Sequence, residues 1–344
     1  MGVPIYYRIY YFFDFVNRGR KHFALFALLV KQINNRLELR MTHSDIQALN
    51  RRAKTDPAGF VEETEAEYHG ALAQLARTVH NNPEKRILLL AGPSASGKTT
   101  TAALLIKQLE TMGCRAVVLS LDNFYRDRSD APLLENGSPD YETVHALDLR
   151  ELERCFLRLL QTRECVLPVF DFEAGGRRLQ ERQLLRLGRG DVIVVEGLHA
   201  LHPYITAHLP RESLIKIYIN VLTRISGAAG DVLLARRDLR FVRRLVRDDK
   251  FRASSAENTY MLWQNVRRGE ETYLFPFRET ADIVLDSTHA YEPCVLRQFA
   301  LPLLERVAGE YQAQARTLCG CLRRLEEINP ALVPVDSLLR EFIG

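Results

Sequence analysis

The chain has 344 residues, 47% of them hydrophobic and 26% charged, which gives it a full core and excludes wholesale disorder. Its length fits about two domains, or one large α/β domain with additions, and no run of about 18 apolar residues occurs that would span a membrane as a helix. Residues 1–40 carry seven basic side chains against two acidic ones and the remainder 40 against 41, so the net charge of +4 belongs to the leader and the body gives no general argument for nucleic-acid binding.

That leader differs from the rest in composition, holding nine of the 30 aromatic residues. It reads as a membrane-surface anchor, where basic and aromatic residues mix. It also reads as a targeting segment, although an apolar block first and no A-x-A site do not fit a signal peptide. The expectation carried forward is the third reading: residues 1–40 lie outside the natural protein, with Met41 as its start. Residues 44–54 and 58–80 predict amphipathic helices, making 41–82 a helical N-terminal extension. Residues 86–91 form a short apolar run bounded by turn residues, the pattern of a buried strand. A helix over 99–112 and a strand over 114–121 follow. Asp148 and Glu151 form a capping box that opens a helix to about residue 160. Strands are predicted over 166–172, 192–196 and 214–221, and long helices near 232–246 and 256–268. A short strand over 282–285 and helices near 291–307 and 313–328 end the chain. Strands alternating with helices predict an α/β fold with a mainly parallel sheet covered on both faces.

The six cysteines include no C-x-x-C pair, which argues against a disulfide scaffold or a zinc site and fits reduced thiols in the cytoplasm. His199 and His202 are spaced i, i+3, but no Cys or carboxylate completes a metal set, so both read as structural.

Gly92-Pro93-Ser94-Ala95-Ser96-Gly97-Lys98-Thr99 fits G-x-x-x-x-G-K-[ST], directly after a predicted buried strand and opening a predicted helix. The glycines let the backbone turn its N–H groups toward a phosphate, and the helix N-terminus adds a positive dipole. Lys98 would reach the β- and γ-phosphates of ATP, and the Thr99 hydroxyl would ligate Mg²⁺. Asp122 ends the second strand, on the side of a parallel sheet where ligands sit. There it can accept a proton from an attacking hydroxyl, or simply cap a turn. Glu196 ends a hydrophobic strand, a position from which P-loop proteins hold Mg²⁺. Between Arg236 and Arg252 eight of 17 residues are basic. Arg236, Arg240, Arg243 and Arg247 recur at helical spacing, giving a face that could close over transferring phosphate, face solvent or contact RNA.

Together these residues resemble the uridine kinase branch of the phosphoribulokinase/uridine kinase family of P-loop kinases. The matching blocks are Ala91 to Thr100, Ser120-Leu-Asp-Asn-Phe-Tyr-Arg126, Pro139-Asp-Tyr141, Pro168-Val-Phe-Asp-Phe172, Val195-Glu-Gly197 and Arg243-Arg-Leu-Val-Arg-Asp248, in family order. The similarity spans about residues 60–344. Residues 266–271 and 337–344 look closer to uridine-kinase-like nucleoside kinases often fused to a threonyl-tRNA-synthetase-like N-terminal region, which this sequence lacks.

The resemblance implies a P-loop NTPase three-layer α/β/α domain over 83–310, with a helical lid at about 232–268 and a C-terminal helical extension over 311–344. It implies that Asp122 is the base for a nucleoside 5′-hydroxyl and that Tyr125 lies near the acceptor. Asp140 would hold the ribose hydroxyls, and Glu196 would be the Mg²⁺-associated acid. Thr100 falls in the ATP-binding block. Arg243, Arg247 and Arg252 would meet phosphates from the lid, with Arg247 nearest the chemistry. Phe170 and Phe172, which alternate on a strand and read equally as core, would line the substrate site. Familiar uridine/cytidine enzymes carry Tyr where Phe170 stands and His where Gly175 stands, so hydrogen-bonding groups that read a pyrimidine are missing.

The implied activity is Mg²⁺- and ATP-dependent formation of a nucleoside monophosphate, with a nucleoside and ATP as small-molecule partners and no stable nucleic acid. No membrane partner is expected apart from the leader, and a homo-oligomer stays open. Alternatives are a kinase of the same superfamily acting on a sugar phosphate or pantothenate, and an ATP-binding regulatory or RNA-associated protein.

Overall fold

The computed structural model describes residues 44–344 except 136, 172, 173, 208 and 228, so the leader and Phe172 lie outside the described residues. The chain opens with β1 (Ser44–Asp45), α1 (Ile46–Thr55) and α2 (Pro57–His80). Asp45 Oδ1 accepts from Gln47 N (3.2 Å) and Asp56 Oδ1 from Gly59 N (2.9 Å), so an aspartate caps each helix. Next come β2 (Ile87–Ala91), α3 (Lys98–Thr111), β3 (Ala116–Ser120) and α4 (Leu149–Thr162). Asp148 caps α4 as expected, accepting from Glu151 N at 3.0 Å. Then follow β4 (Glu164–Asp171), β5 (Gly176–Arg186), β6 (Val192–Glu196), α5 (Pro203–Thr206), β7 (Leu214–Asn220), β8 (Ile225–Ser226) and β9 (Val232–Leu234). The chain closes with α6 (Arg236–Arg252), α7 (Ala256–Tyr273), β10 (Ile283–Asp286), α8 (Glu292–Glu305), α9 (Gln312–Leu322) and α10 (Arg340–Ile343).

The central sheet has the order β10-β7-β2-β6-β3, all parallel. Strict alternation along its strands builds the two cores. Leu88 and Leu90 of β2, Val192 and Val194 of β6 and Ile215 and Ile217 of β7 enter one core. Ile87 and Leu89, Ile193 and Val195, and Leu214 and Tyr218 enter the other, with α4. This is the three-layer P-loop NTPase architecture that the sequence predicted.

The terminal segments belong to the same molecule of packing. Leu72, Leu75 and Val79 of α2, and Leu338, Leu339 and Phe342 near the C-terminus, share the core of Leu88 and Leu90.

Element ends shift, with Ser44–Asp45 a strand and α9 stopping at Leu322 where the helix was expected to run to 328, and two further stretches differ from the reading. Residues 232–234 are a strand paired antiparallel with β8, and the lid helix begins only at Arg236. The second difference is β5, which forms a separate antiparallel hairpin with β4. Its sequence, GRRLQERQLLR, lacks the apolar alternation that marks a half-buried strand.

Candidate active site

β2 ends at Ala91, and the chain turns at once into the P-loop. A Cβ on Gly92 would stand 2.7 Å from Ile219 Cγ2 and 2.7 Å from Ser96 Oγ, so the turn accepts no side chain. Gly97 takes φ +82° and would carry its Cβ 2.5 Å from Leu338 Cδ1. α3 starts immediately after it without a side-chain cap, leaving its first N–H groups for a phosphate. Lys98 Nζ donates to Pro93 O at 3.1 Å. Thr99 lines the cleft. Thr100 Oγ1 donates to Glu341 Oε2 at 2.7 Å, and Thr101 Oγ1 ties the helix back to Gly97 O at 2.6 Å.

The back of the loop is held by α6 and α7. Arg240 makes a bidentate pair with Glu270 (2.7 and 2.8 Å) and donates to Ser94 O at 3.1 Å. Ser94 N donates to Glu270 Oε1 at 2.8 Å, and Ser94 Oγ accepts from Arg244 at 2.9 Å. Ser94 was expected to present its N–H to phosphate; Glu270 takes that N–H instead.

Arg243 requires a larger correction. It was expected to contact phosphate, but it is fully buried and held by Glu292, Ser287 and Ala95 O. With all its donors directed at protein groups, it supports the P-loop from behind. The basic residues of α6 are therefore divided, with Arg236 and Arg237 exposed at its start and others turned inward. Arg240, Arg243 and Arg244 are buried, while Arg247 and Arg252 line the cleft.

The cleft has a volume of about 480 Å³ and joins Lys98 and Thr99 to Asp122 and Glu196. β3 and β6 are neighbours with Ser120 opposite Glu196, which brings the two strand-end acids together. Ser120 Oγ donates to Glu196 Oε1 at 2.5 Å. Burial pushes the Asp122 carboxyl up, opposed by Lys98, Arg252 and Arg247. Burial and the neighbouring Asp122 push Glu196 up as well.

At the far end the cleft is aromatic. The Tyr125 ring lies 6.0 Å from Tyr141 and 5.7 Å from Phe170. The β4–β5 hairpin is fixed there by Asn123 Oδ1, which accepts from Phe170 N at 3.4 Å, and by Arg177 Nε, which donates to Tyr125 O at 3.1 Å. Gly175 and Arg128 complete this wall.

Asp140 is not brought to the cleft wall. Its Oδ1 accepts from Glu142 N at 3.1 Å, an Asx-type turn, and its Oδ2 lies 3.9 Å from Arg268. The turn delivers Glu142 instead, which lines the cleft with its carboxyl raised to about 7 by burial, against the pull of Arg244.

A model of the phosphoribulokinase/uridine kinase family matches residues 87–292. The chain belongs to this family. It is a P-loop kinase, a phosphotransferase that works on a small acceptor. Among curated relatives, a uridine kinase of Deinococcus deserti is 29% identical over 211 residues, 61% of this chain and 91% of its own length. A uridine kinase of Staphylococcus epidermidis is 28% identical over 201 residues, 58% and 86% of the two chains. A solved D-glycerate 3-kinase from Cryptococcus neoformans aligns at a TM-score of 0.38 and 18% identity, covering 63% of this chain and 87% of its own.

Within this kinase, Glu142, Glu270, Glu292 and Glu341 were missed by sequence reasoning. Glu270 and Glu341 fall in the blocks 266–271 and 337–344 that carried the resemblance, but no role was read for either, because their partners Arg240 and Thr100 are distant in sequence. His199 is buried, has no hydrogen-bond partner on either ring nitrogen among the described residues, and its pKa is pushed down to about 3 by burial. Among the described residues no group of three His, Cys, Asp or Glu side chains could hold a metal, and no helix is long and apolar enough to cross a membrane.

Proposed function

We propose that the protein is an ATP- and Mg²⁺-dependent nucleoside kinase that transfers the γ-phosphate to a nucleoside 5′-hydroxyl. The observation that carries this reading is one cleft that joins the P-loop, the half-buried carboxylate of Asp122 and an aromatic wall. ATP would lie along the start of α3, its terminal phosphates near Lys98. Asp122 would accept the proton of the attacking hydroxyl; burial strengthens it as a base, while Lys98, Arg247 and Arg252 keep the carboxylate accessible.

The residues fit Mg²⁺. Thr99 offers a hydroxyl, and the buried Glu196 accepts a protein hydrogen bond through Oε1 alone among the described residues, leaving Oε2 for a metal-bound water. Bound there, Mg²⁺ would neutralise charge on the transferring phosphates. In the acceptor half, Tyr125, Tyr141 and Phe170 offer faces for a planar base. Glu142 offers a carboxylate able to accept two hydroxyl hydrogen bonds, the role the resemblance assigned to Asp140.

The test is Mg·ATP-dependent monophosphate formation with uridine, cytidine, adenosine, guanosine and inosine, with Asp122→Asn as control. Turnover lost in the variant supports the reading, and binding of ATP without turnover of any nucleoside removes it. A second reading has one observation in its favour: Arg128 lines the acceptor end, where a phosphorylated or carboxylated acceptor would meet it. A regulatory, RNA-associated role has less support, because Arg240, Arg243 and Arg244 are buried inside the protein.

A further inference from the structure

The C-terminal segment reaches the nucleotide cleft. Leu338, Leu339 and Phe342 have no solvent exposure. Leu338 fills the space beside Gly97, Phe342 lies 5.2 Å from the Arg243 guanidinium, and Lys250 Nζ donates to Ile343 O. Ser337 Oγ donates to Glu65 Oε1 of α2 at 2.5 Å. The segment is thus fixed against both α3 and α6, and Glu341 projects from it into the cleft.

Glu341 meets two donors there. Oε2 accepts from Thr100 Oγ1 at 2.7 Å, and Oε1 lies 3.6 Å from Arg247 Nη1. On its other side Arg247 Nε lies 3.5 Å from Asp248 Oδ1, an oxygen that also pairs with Arg252 at 3.3 Å. Asp248 therefore divides its charge among arginines, and Glu341 is a second carboxylate within ion-pair distance of the other end of the Arg247 fork. A guanidinium held from two sides loses less freedom when it meets a phosphate.

We propose that Glu341 is a positioning residue: it ties the P-loop helix to the lid and aims Arg247 at the terminal phosphate of bound ATP. This rests on the reading of the cleft as an ATP site and not on the identity of the acceptor. The opposite role, a carboxylate that competes with phosphate for Thr100 and Arg247, predicts the opposite sign.

The experiment is calorimetric titration of the full chain with Mg·ATP and Mg·ADP, for wild type, Glu341→Gln, Arg247→Lys and the double variant. Glutamine keeps an acceptor for Thr100 and drops the charge that holds Arg247. Glu341→Gln is expected to weaken ATP binding about fivefold or more while ADP binding stays within about twofold. Arg247→Lys, which leaves the tail intact, is expected to give a similar loss and carries the test if the Gln variant does not fold. The double variant is expected to lose little beyond the larger single loss, because the two residues act through one contact. Tighter ATP binding, an unchanged ATP-to-ADP ratio or fully additive losses would overturn the proposal. A wild type that binds neither nucleotide overturns the ATP-site reading with it. Absence of nucleoside turnover with these binding results intact counts against the acceptor alone.

Discussion

Arg243 and Glu292 form an ion pair in which neither side chain touches solvent. A buried guanidinium left without its carboxylate, or the reverse, is an uncompensated charge in the core. Arg243→Ala is therefore expected to cost about 3–5 kcal/mol of stability, read from denaturant unfolding. Replacing both residues with leucine should cost less than the single change. In material that remains folded, ATP affinity should stay close to wild type. Unchanged stability with lost ATP binding would return Arg243 to the phosphate-contacting role that its helical spacing predicted.

Asp122→Asn removes the proton acceptor and keeps the shape of the side chain. Turnover is expected to fall about 10²–10⁴-fold. Mg·ATP affinity, measured by titration calorimetry, should change little, because no reading of the cleft gives Asp122 a phosphate contact. A comparable loss of both quantities would reduce Asp122 to a structural cap. The direction of its shift also predicts that the acidic limb of kcat/KM lies above the ordinary carboxylate range, since this limb reports groups in the free enzyme.

Local signals carried most of what was legible. The P-loop needs only a buried strand, a tight turn and a helix start, all within residues 87–111, and each step has a residue-level cause. Asp122 and Glu196 could be placed because strand ends in a parallel sheet face one side. What stayed hidden depends on partners. Helical spacing groups the arginines of α6 on a face but cannot assign them. Arg240 is taken by Glu270 and Arg243 by Glu292, at separations of 30 and 49 residues. That Glu142 lines the cleft two residues after Asp140 goes with an Asx-type hydrogen bond from Glu142 N to Asp140, which no spacing rule announces. Glu341 lies 241 residues beyond Thr100, so only tertiary packing of the C-terminal segment brings it to the site.

Glu142 gives a pH prediction with a definite sign. Its carboxyl is raised from 4.5 to about 7, mainly by burial. The folded protein therefore holds this proton more tightly than the unfolded chain does. The associated stability is fully present below pH 4.5 and is lost as pH rises through 7. Glutamine, which mimics the neutral acid, should remove this dependence. Glu142→Gln is expected to match wild type near pH 4.5 and to be more stable at pH 8, on the order of 3 kcal/mol, in urea unfolding. If the carboxylate also clamps the acceptor, the same variant raises the acceptor KM, whereas Asp140→Asn changes it little. A larger KM effect from Asp140→Asn would restore the original assignment.

Arg128 supplies the acceptor prediction. A Cβ on Gly175 would stand 3.5 Å from Arg128 Cδ, so the arginine stem borders the space that a side chain at 175 would enter. Its guanidinium has no ion-pair partner among the described residues, and it lines the aromatic end of the cleft. Five donors and no acceptor suit a base edge that offers two acceptors side by side, as O6 and N7 of guanine or hypoxanthine do. Adenine places a donor next to N7, and uracil offers no such pair. Arg128→Ala is therefore expected to lower kcat/KM for guanosine and inosine about 10- to 100-fold, a discrimination of about 1–3 kcal/mol. The effect on adenosine, uridine and cytidine should be several-fold smaller. Equal loss on all five nucleosides would make Arg128 a general contact. Turnover of a sugar phosphate that fails in the variant, with no nucleoside accepted by the wild type, would instead direct its fork at a phosphate.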